Sequence, residues 1–333
     1  MYRYGKLPYN QLKEILSKLS REDKSVILGP AIGEDAALVD LGESILVVHA
    51  DPITGAEKDI GWLSIHVAAN DIATRGIRPR WLLSVILLPE RSDDKLLNEI
   101  IDQMKRAADE IDATIIGGHT EITPGLDRPI IITTAIGEGK KEDVLTTSGA
   151  RPGDKIILTK GAGIEGTAIL ASELYDKLVG KVEEDVLERA KLFIREISVV
   201  KDAMIAVKVG GVHAMHDPTE GGVLGGLQEM AMASNLGIYV EEEKIPVRRE
   251  TEIICRTLGV DYLKLISSGT LLISVDPLKA RDIVSELRKE GIDASIIGQF
   301  REGKERVVLK KDGSKVDLNV PIIDELWTIL SIS

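Results

Sequence analysis

Between Gly33 and Gly76 the chain runs through an acidic loop, an apolar strand-like run and a helix-like run, with an acid at each junction. Glu34-Asp35 lies in GPAIGEDAA, Asp51 follows ILVVHA, and Asn70-Asp71 falls near the end of IGWLSIHVAANDIATRG. Residues Ile45 to His49 are apolar and β-branched and stop at Ala-Asp-Pro, which predicts a strand. Leu63, Val67 and Ile72 recur at roughly helical spacing, which predicts a helix over residues 61–73. Carboxylates at the ends of strands and helices suit Mg²⁺, which takes hard oxygen ligands and shares its shell with phosphate oxygens and water. Capping of turns and helices accounts for each acid taken singly. Taken together, Asp35, Asp51 and Asp71 favour a metal–phosphate site.

The rest of the chain alternates similar elements. An amphipathic helix is expected over Tyr9 to Leu19, a strand over Trp81 to Leu88, and a helix over Asp93 to Ile111 capped by Ser92. ATIIGG reads as a buried strand leading into the loop GGHTEITPG, and PIIITTAIG as another strand. The small, polar, Gly/Pro-rich stretch TTSGARPGD marks a boundary. Since 333 residues exceed one ordinary core, two domains are expected, 1–150 and 151–333. The second holds a strand at Lys155 to Leu158, a long helix from Val186 to about Val207, the loop HAMHDPTEGG and a helix from Gly222 to Ser234. Further strands are expected at Ile238 to Glu241, Leu271 to Val275 and Ser295 to Gln299. This order of elements is an α+β or α/β pattern.

A net charge of -12 argues against nucleic acid as a partner. No stretch approaches the roughly 20 apolar residues of a membrane span, the longest being strand-sized, around Trp81 to Pro89. MYRYGKLPYNQL lacks the apolar core of a signal peptide, so a cytoplasmic protein is expected. The single cysteine, Cys255, excludes an internal disulfide and a cysteine-based zinc site, and in TEIICRTLG it reads as a buried structural thiol. Scarce Asn and Gln beside plentiful Ile, Glu and Lys are in keeping with a thermophilic source.

Two glycine-bearing loops are candidates for anion contact. Gly117-Gly118-His119-Thr120-Glu121 offers close backbone approach and side-chain donors, although a tight turn needs glycine equally. Asp217-Pro218-Thr219-Glu220-Gly221-Gly222 opens a helix whose N–H groups face phosphate or developing negative charge, with an Asp N-cap as the alternative. Gly161-Ala162-Gly163-Ile164-Glu165-Gly166 fits the dinucleotide fingerprint, but KLVGKVEEDVLE, where the second strand and its acid belong, is charged and helix-prone. A glycine-lined turn is therefore expected there. No Walker A, Ser-His-Asp or G-x-S-x-G pattern occurs, and His213 and His216 read as hydrogen-bonding groups.

GKLP, GPAIGEDAA, HADPI, NDIATRGIRPR, IIGGHTE, SGARPGD and AMHDPTEGG follow one another in an order that resembles the aminoimidazole-ribonucleotide (AIR) synthase superfamily, most of all its hydrogenase-maturation HypE group. EEKIPVRRETEIICRTLGVDYLKLISSGTLLISV and IIGQF resemble the second domain of that group. The resemblance implies an α+β protein: an N-terminal domain that forms a homodimer through a shared β-barrel, and a C-terminal α/β/α sandwich. It implies ATP in the N-terminal domain and Mg²⁺ on the acids. Asp35, Asp51 and Asp71 would be the metal or phosphate ligands, and Gly33, Asn70, Gly117, Gly118, His119 and Thr120 the nucleotide contacts. Asp217 would line the cleft and act beside Asp35 and Asp71 in catalysis. The implied chemistry is phosphoryl transfer to a carbonyl-type oxygen, of a small molecule or a carbamoyl group, with hydrogenase-maturation proteins as possible partners. The alternatives are a thiamine-monophosphate-type kinase and a non-catalytic docking module. Two departures bear on this expectation. LWTILSIS carries none of the terminal cysteine on which the HypE group bears its carbamoyl, and His216 and Glu220 stand where that group usually has arginines.

Overall fold

The computed structural model describes residues 11, 14–16, 18, 23–31 and 33–331. Of the helix expected over Tyr9 to Leu19, residues 11, 14–16 and 18 are helical, and the others lie outside the described residues. The chain separates into two compact units, residues 22–29 with 35–144, and residues 1–21 and 30–34 with 145–333.

The smaller unit contains β1 (Val26–Leu28), β2 (Ala37–Asp40), β3 (Ile45–Ile53), α1 (Ile60–Thr74), β4 (Pro79–Leu88), α2 (Asp94–Glu110), β5 (Thr114–Ile122) and β6 (Ile130–Gly139). They form an open six-stranded sheet in the order β1-β2-β3-β6-β4-β5. β3 pairs antiparallel with β6 from Ile45↔Gly139 to Ile53↔Ile131, and β4 lies antiparallel to β6 and parallel to β5.

Every residue of α1 is buried. Its neighbour α2 comes so close that a Cβ on Gly61 would stand 2.4 Å from the Ile100 carbonyl oxygen, so that contact admits only glycine. A helix enclosed on all sides has to satisfy its polar side chains internally, and α1 carries Ser64, His66, Asn70, Asp71 and Thr74. α2 instead buries one stripe through Ile100, Met104, Ala107 and Ala108. Its cap is Asp93, whose Oδ1 accepts from Leu96 N at 2.9 Å. The expected cap, Ser92, belongs to the preceding turn, where its N–H donates to Pro89 O.

β5 differs most from expectation. The strand does not end at a glycine loop but continues through Gly117, Gly118, His119 and Thr120 to Ile122, and all of it is exposed at the sheet edge. A Cβ on Gly118 would fall 1.9 Å from Ser84 O. The glycine is thus needed for the close approach of two parallel strands rather than for a turn.

The larger unit has β7 (Lys155–Thr159), β8 (Val212–His216), β9 (Gly237–Glu241), β10 (Leu272–Val275), β11 (Ala294–Arg301), β12 (Arg306–Leu309) and β13 (Lys315–Asp317). Their order is β13-β12-β9-β11-β7-β10-β8. Its helices are α3 (Ile164–Glu173), α4 (Tyr175–Leu178), α5 (Glu184–Leu192), α6 (Val200–Val209), α7 (Gly222–Ala233), α8 (Arg249–Leu258), α9 (Ala280–Lys289) and α10 (Glu325–Ser331). One core joins Ile156, Leu158, Leu227, Val240, Leu272 and Phe300. A second joins Leu170, Val186, Leu187, Ile254 and Leu326. The long helix expected from Val186 to Val207 is broken by a 3₁₀ turn at Phe193–Glu196. The β-branched run Ile197, Val199, Val200 beside Ser198 follows that turn, and such residues are poor at carrying a helix onward. The first residues of HAMHDPTEGG belong to β8 rather than to a loop. Among the described residues no helix is long and apolar enough to cross a membrane.

Candidate metal–phosphate site

Alternate residues of β3 face α1. Ile45 and Val47 are buried on that face, His49 and Asp51 come next at the same period, and Ile53 closes it, again buried. The apolar register is therefore interrupted by two polar side chains. α1 answers with Asp71, whose Oδ2 lies 3.2 Å from His49 Nε2. One ligand atom from each of His49, Asp51 and Asp71 lies within 4.8 Å of the other two. Carboxylates this close and this poorly hydrated favour a counter-charge, which an imidazolium or a divalent cation supplies.

Asp35 does not join this trio. Its Oδ2 accepts from Arg75 Nη2 at 2.6 Å, and the Arg75 side chain is fully buried. Thr74 Oγ1 sits 3.1 Å from the same Asp35 oxygen and 2.8 Å from the Asp71 carbonyl oxygen. Asp35 thus meets the C-terminal end of α1 through the Arg75 guanidinium, while Asp71, on the last turn of α1, meets the His49 imidazole of β3. Asn70, fully buried, precedes Asp71 on α1.

The remaining expected nucleotide contacts of this unit lie on β5. Gly117 and Gly118 pair with Leu83 and Ser84 of β4, and His119 and Thr120 with Val85 and Ile86. His119 Nε2 lies 3.1 Å from Glu121 Oε2. That hydrogen bond, with a second from Thr123, holds the Glu121 carboxyl below the usual carboxylate range.

Comparison with known proteins places these residues in a family. Residues 33–138 match the N-terminal domain of AIR synthase related proteins, and residues 151–310 match the C-terminal domain. A carbamoyl dehydratase HypE of Azotobacter vinelandii is 32% identical, with 82% of this chain and 80% of that protein covered. The chain belongs to the AIR synthase related family. This family member is also 29% identical to a putative hydrogenase expression/formation protein of Methanocaldococcus jannaschii, over 97% of this chain and 96% of that one. Its fold superimposes on the crystal structure of a hydrogenase maturation protein HypE in complex with ATP, with a TM-score of 0.74, 25% identity and 98% of both chains covered.

In the larger unit of this AIR synthase relative, Gly33 has a positive φ of 79°. Glu34 caps a short turn, accepting from Thr147 N at 3.0 Å, Ser148 N at 3.2 Å and Ser148 Oγ at 2.7 Å. Asp217 is buried directly after β8. It does not cap α7, whose N-terminal Gly221 N–H instead donates to Asp324 Oδ2 at 2.7 Å. Asp324 Oδ1 accepts from Leu326 N at 2.7 Å. Burial outweighs these two donors and, with Glu220 and Glu325 nearby, pushes the Asp324 carboxyl up to about 7. His216 Nε2 sits 2.8 Å from Glu229 Oε2, both side chains being buried.

The glycine fingerprint at Gly161 to Gly166 is filled from within: Ala162 N donates to Pro246 O, Gly166 N to Ile266 O, and Gly163 N to Ser267 Oγ at 2.8 Å. His213 Nδ1 lies 2.9 Å from Asp154 Oδ2. Ser274 Oγ donates to that same oxygen at 2.7 Å, so the serine meets the acid and not the imidazole, and a nucleophilic triad is not formed. Cys255 is buried in α8, and burial pushes its thiol up to about 12. It is unsuited to carry a transferable group.

Sequence reasoning missed two residues here, and both left a signal. His49 is two residues before Asp51 on a strand, so it shares that face. Arg75 follows Asp71 by four residues, close to one helical turn.

Proposed function

We propose that this chain is an ATP-dependent enzyme that phosphorylates a carbonyl-type oxygen, of a carbamoyl or amide group, so that the oxygen leaves as phosphate. The observation that carries this reading is the His49–Asp51–Asp71 trio, lodged in an N-terminal domain of the AIR synthase type. The carbamoyl dehydratases among the relatives and the ATP complex of a HypE support the reaction class and the nucleotide. The balance is simple: the γ-phosphoryl group moves to the amide oxygen, phosphate departs, and two protons leave the nitrogen to give a nitrile-type carbon.

Such chemistry asks the protein mostly for positioning and charge neutralisation. Two carboxylates on facing elements fit a divalent cation bound through nucleotide phosphates, an ion that, when bound, would neutralise charge developing on the transferred group. Asp51 and Asp71 hold it. Asp35, fixed by Arg75, sets the position of the helix end, Asn70 assists beside Asp71, and Asp217 serves the acceptor. Gly33, Gly117, Gly118, His119 and Thr120 contact the nucleotide. The domains run over residues 1–150 and 151–333, as the boundary motif indicates.

The edge strand β5 supports a homodimer. Ile115, Ile116 and Ile122 are 39%, 54% and 54% exposed, and a strand edge of this kind calls for a partner strand. Cys255 is not the carbamoyl carrier, so the acceptor is presented by another thiol, a small molecule or a hydrogenase-maturation protein.

The test is Mg²⁺-dependent ATP turnover by the purified chain with carboxamides, a peptide bearing an S-carbamoyl cysteine, and phosphomonoesters. Conversion of the carbamoyl peptide to a thiocyanate, a loss of one water by mass, is the expected result. Phosphate transfer to a phosphomonoester, with no dehydration, would identify a kinase of the thiamine-monophosphate type. No nucleotide binding at all would leave a docking module.

A further inference from the structure

The trio at β3 and α1 contains a nitrogen donor where an all-oxygen site would serve Mg²⁺ alone. We propose that His49 is a metal ligand, and that its nitrogen turns this site toward a first-row transition ion, with Mn²⁺ as the probe, rather than Mg²⁺. The inference rests on the metal–nucleotide reading above and sharpens it from this chain's own side chains.

Three observations carry it. First, His49 is fixed on the face of β3 that also presents Asp51, in line with buried Val47 and Ile53. An imidazole stands where the alternation would take an aliphatic side chain, and it meets Asp71 there. Second, His49 Nε2 stands 3.2 Å from Asp71 Oδ2, and the trio's ligand atoms all lie within 4.8 Å of one another. An ion with ligand bonds of about 2.1 Å separates adjacent ligand atoms by about 3 Å, so this edge has the length a shared ion requires. Third, the charges fit. Two carboxylates and a neutral imidazole total -2, which one divalent cation cancels. Carboxylate, carbonyl and water ligands suit Mg²⁺ and Mn²⁺ alike, and an added imidazole favours a transition ion over Mg²⁺.

Electron paramagnetic resonance of the chelator-stripped full chain loaded with Mn²⁺, with and without ATP, tests the assignment. Wild-type protein should show nitrogen modulation in its electron spin-echo envelope that changes to the ¹⁵N pattern when only histidines are labelled. That labelling also separates imidazole from adenine nitrogen. His49→Asn should abolish the modulation and lower the ratio of Mn²⁺ to Mg²⁺ affinity about tenfold or more. The labelled wild-type spectrum shows whether a histidine binds the ion even if that variant folds poorly, and a second variant, His49→Gln, assigns the nitrogen to residue 49. Mn²⁺ binding with no histidine nitrogen, or an unchanged affinity ratio in a folded His49→Asn, would overturn the role of His49 and leave the metal–nucleotide reading standing. Failure of the wild type to bind either ion, with or without ATP, would overturn both.

Discussion

Asp35 packs at the C-terminal end of α1 and Asp71 lies on its last turn, and the two are neutralised in different ways. Asp35 is held by a guanidinium with no exposed surface, backed by the Thr74 hydroxyl. Asp71 sits beside an imidazole and a second carboxylate, with its side chain 12% exposed and that of His49 26% exposed. A permanent cation in a fixed fork locks a carboxylate in place. An imidazole and an acid can be drawn together by an ion and released again. Two acids equivalent as text therefore differ in their counter-charge, a guanidinium for Asp35 and an imidazole for Asp71. Asp324 adds a third solution: two backbone N–H groups and no cation, in a pocket that opposes ionisation.

The sharpest way to break this division is at Arg75. Arg75→Met strands Asp35 without its counter-charge and should cost about 3–5 kcal/mol in chemical unfolding. Asp35→Asn should shift stability in the same direction, and a pair of variants that left stability untouched would cancel the contrast. Next comes Asp71→Asn, expected to lower Mn²⁺ and Mg²⁺·ATP affinity roughly 10–100-fold by calorimetry with little change in melting temperature.

Asp324 makes a pH prediction with a definite sign. Its carboxyl is raised from an ordinary 3.8 to about 7, so the folded state holds the proton more tightly than the unfolded one. That contribution is complete below the ordinary value and is lost as pH rises through about 7. Melting temperature should fall across that window, together with exchange protection of the Gly221 and Leu326 amides, and Asp324→Asn should flatten the melting-temperature profile. The smallest expected effect is that of Thr74→Val, about 1 kcal/mol for the hydroxyl lost between Asp35 and the Asp71 carbonyl.

What the amino-acid order made legible was mostly periodic. The alternation around Val47 and the helical spacing of Leu63, Val67 and Ile72 located β3 and α1 to within a few residues, apart from the extension of β3 to Ile53. Asp51 and Asp71 stood out because acids are unusual in an apolar context, although Asp51 lies within β3 and not past its end. The pairing of Asp35 with Arg75 was not legible, since spacing places Arg75 near Asp71 but says nothing of an acid 40 residues earlier. β5 was misjudged for another reason. An apolar run indicates that something covers it, not which chain does so, and among the described residues Ile116 is left 54% exposed. The break after Leu192 was hidden because apolar spacing persists across it while the backbone changes its hydrogen bonding.

The total enclosure of α1 has an evolutionary corollary. An element lacking any outward side offers no neutral positions, so drift in specificity has to be written elsewhere, on β3 and the segments that follow it. Relatives diverging in chemistry should vary at the strand that carries His49 while the helix behind it stays nearly constant.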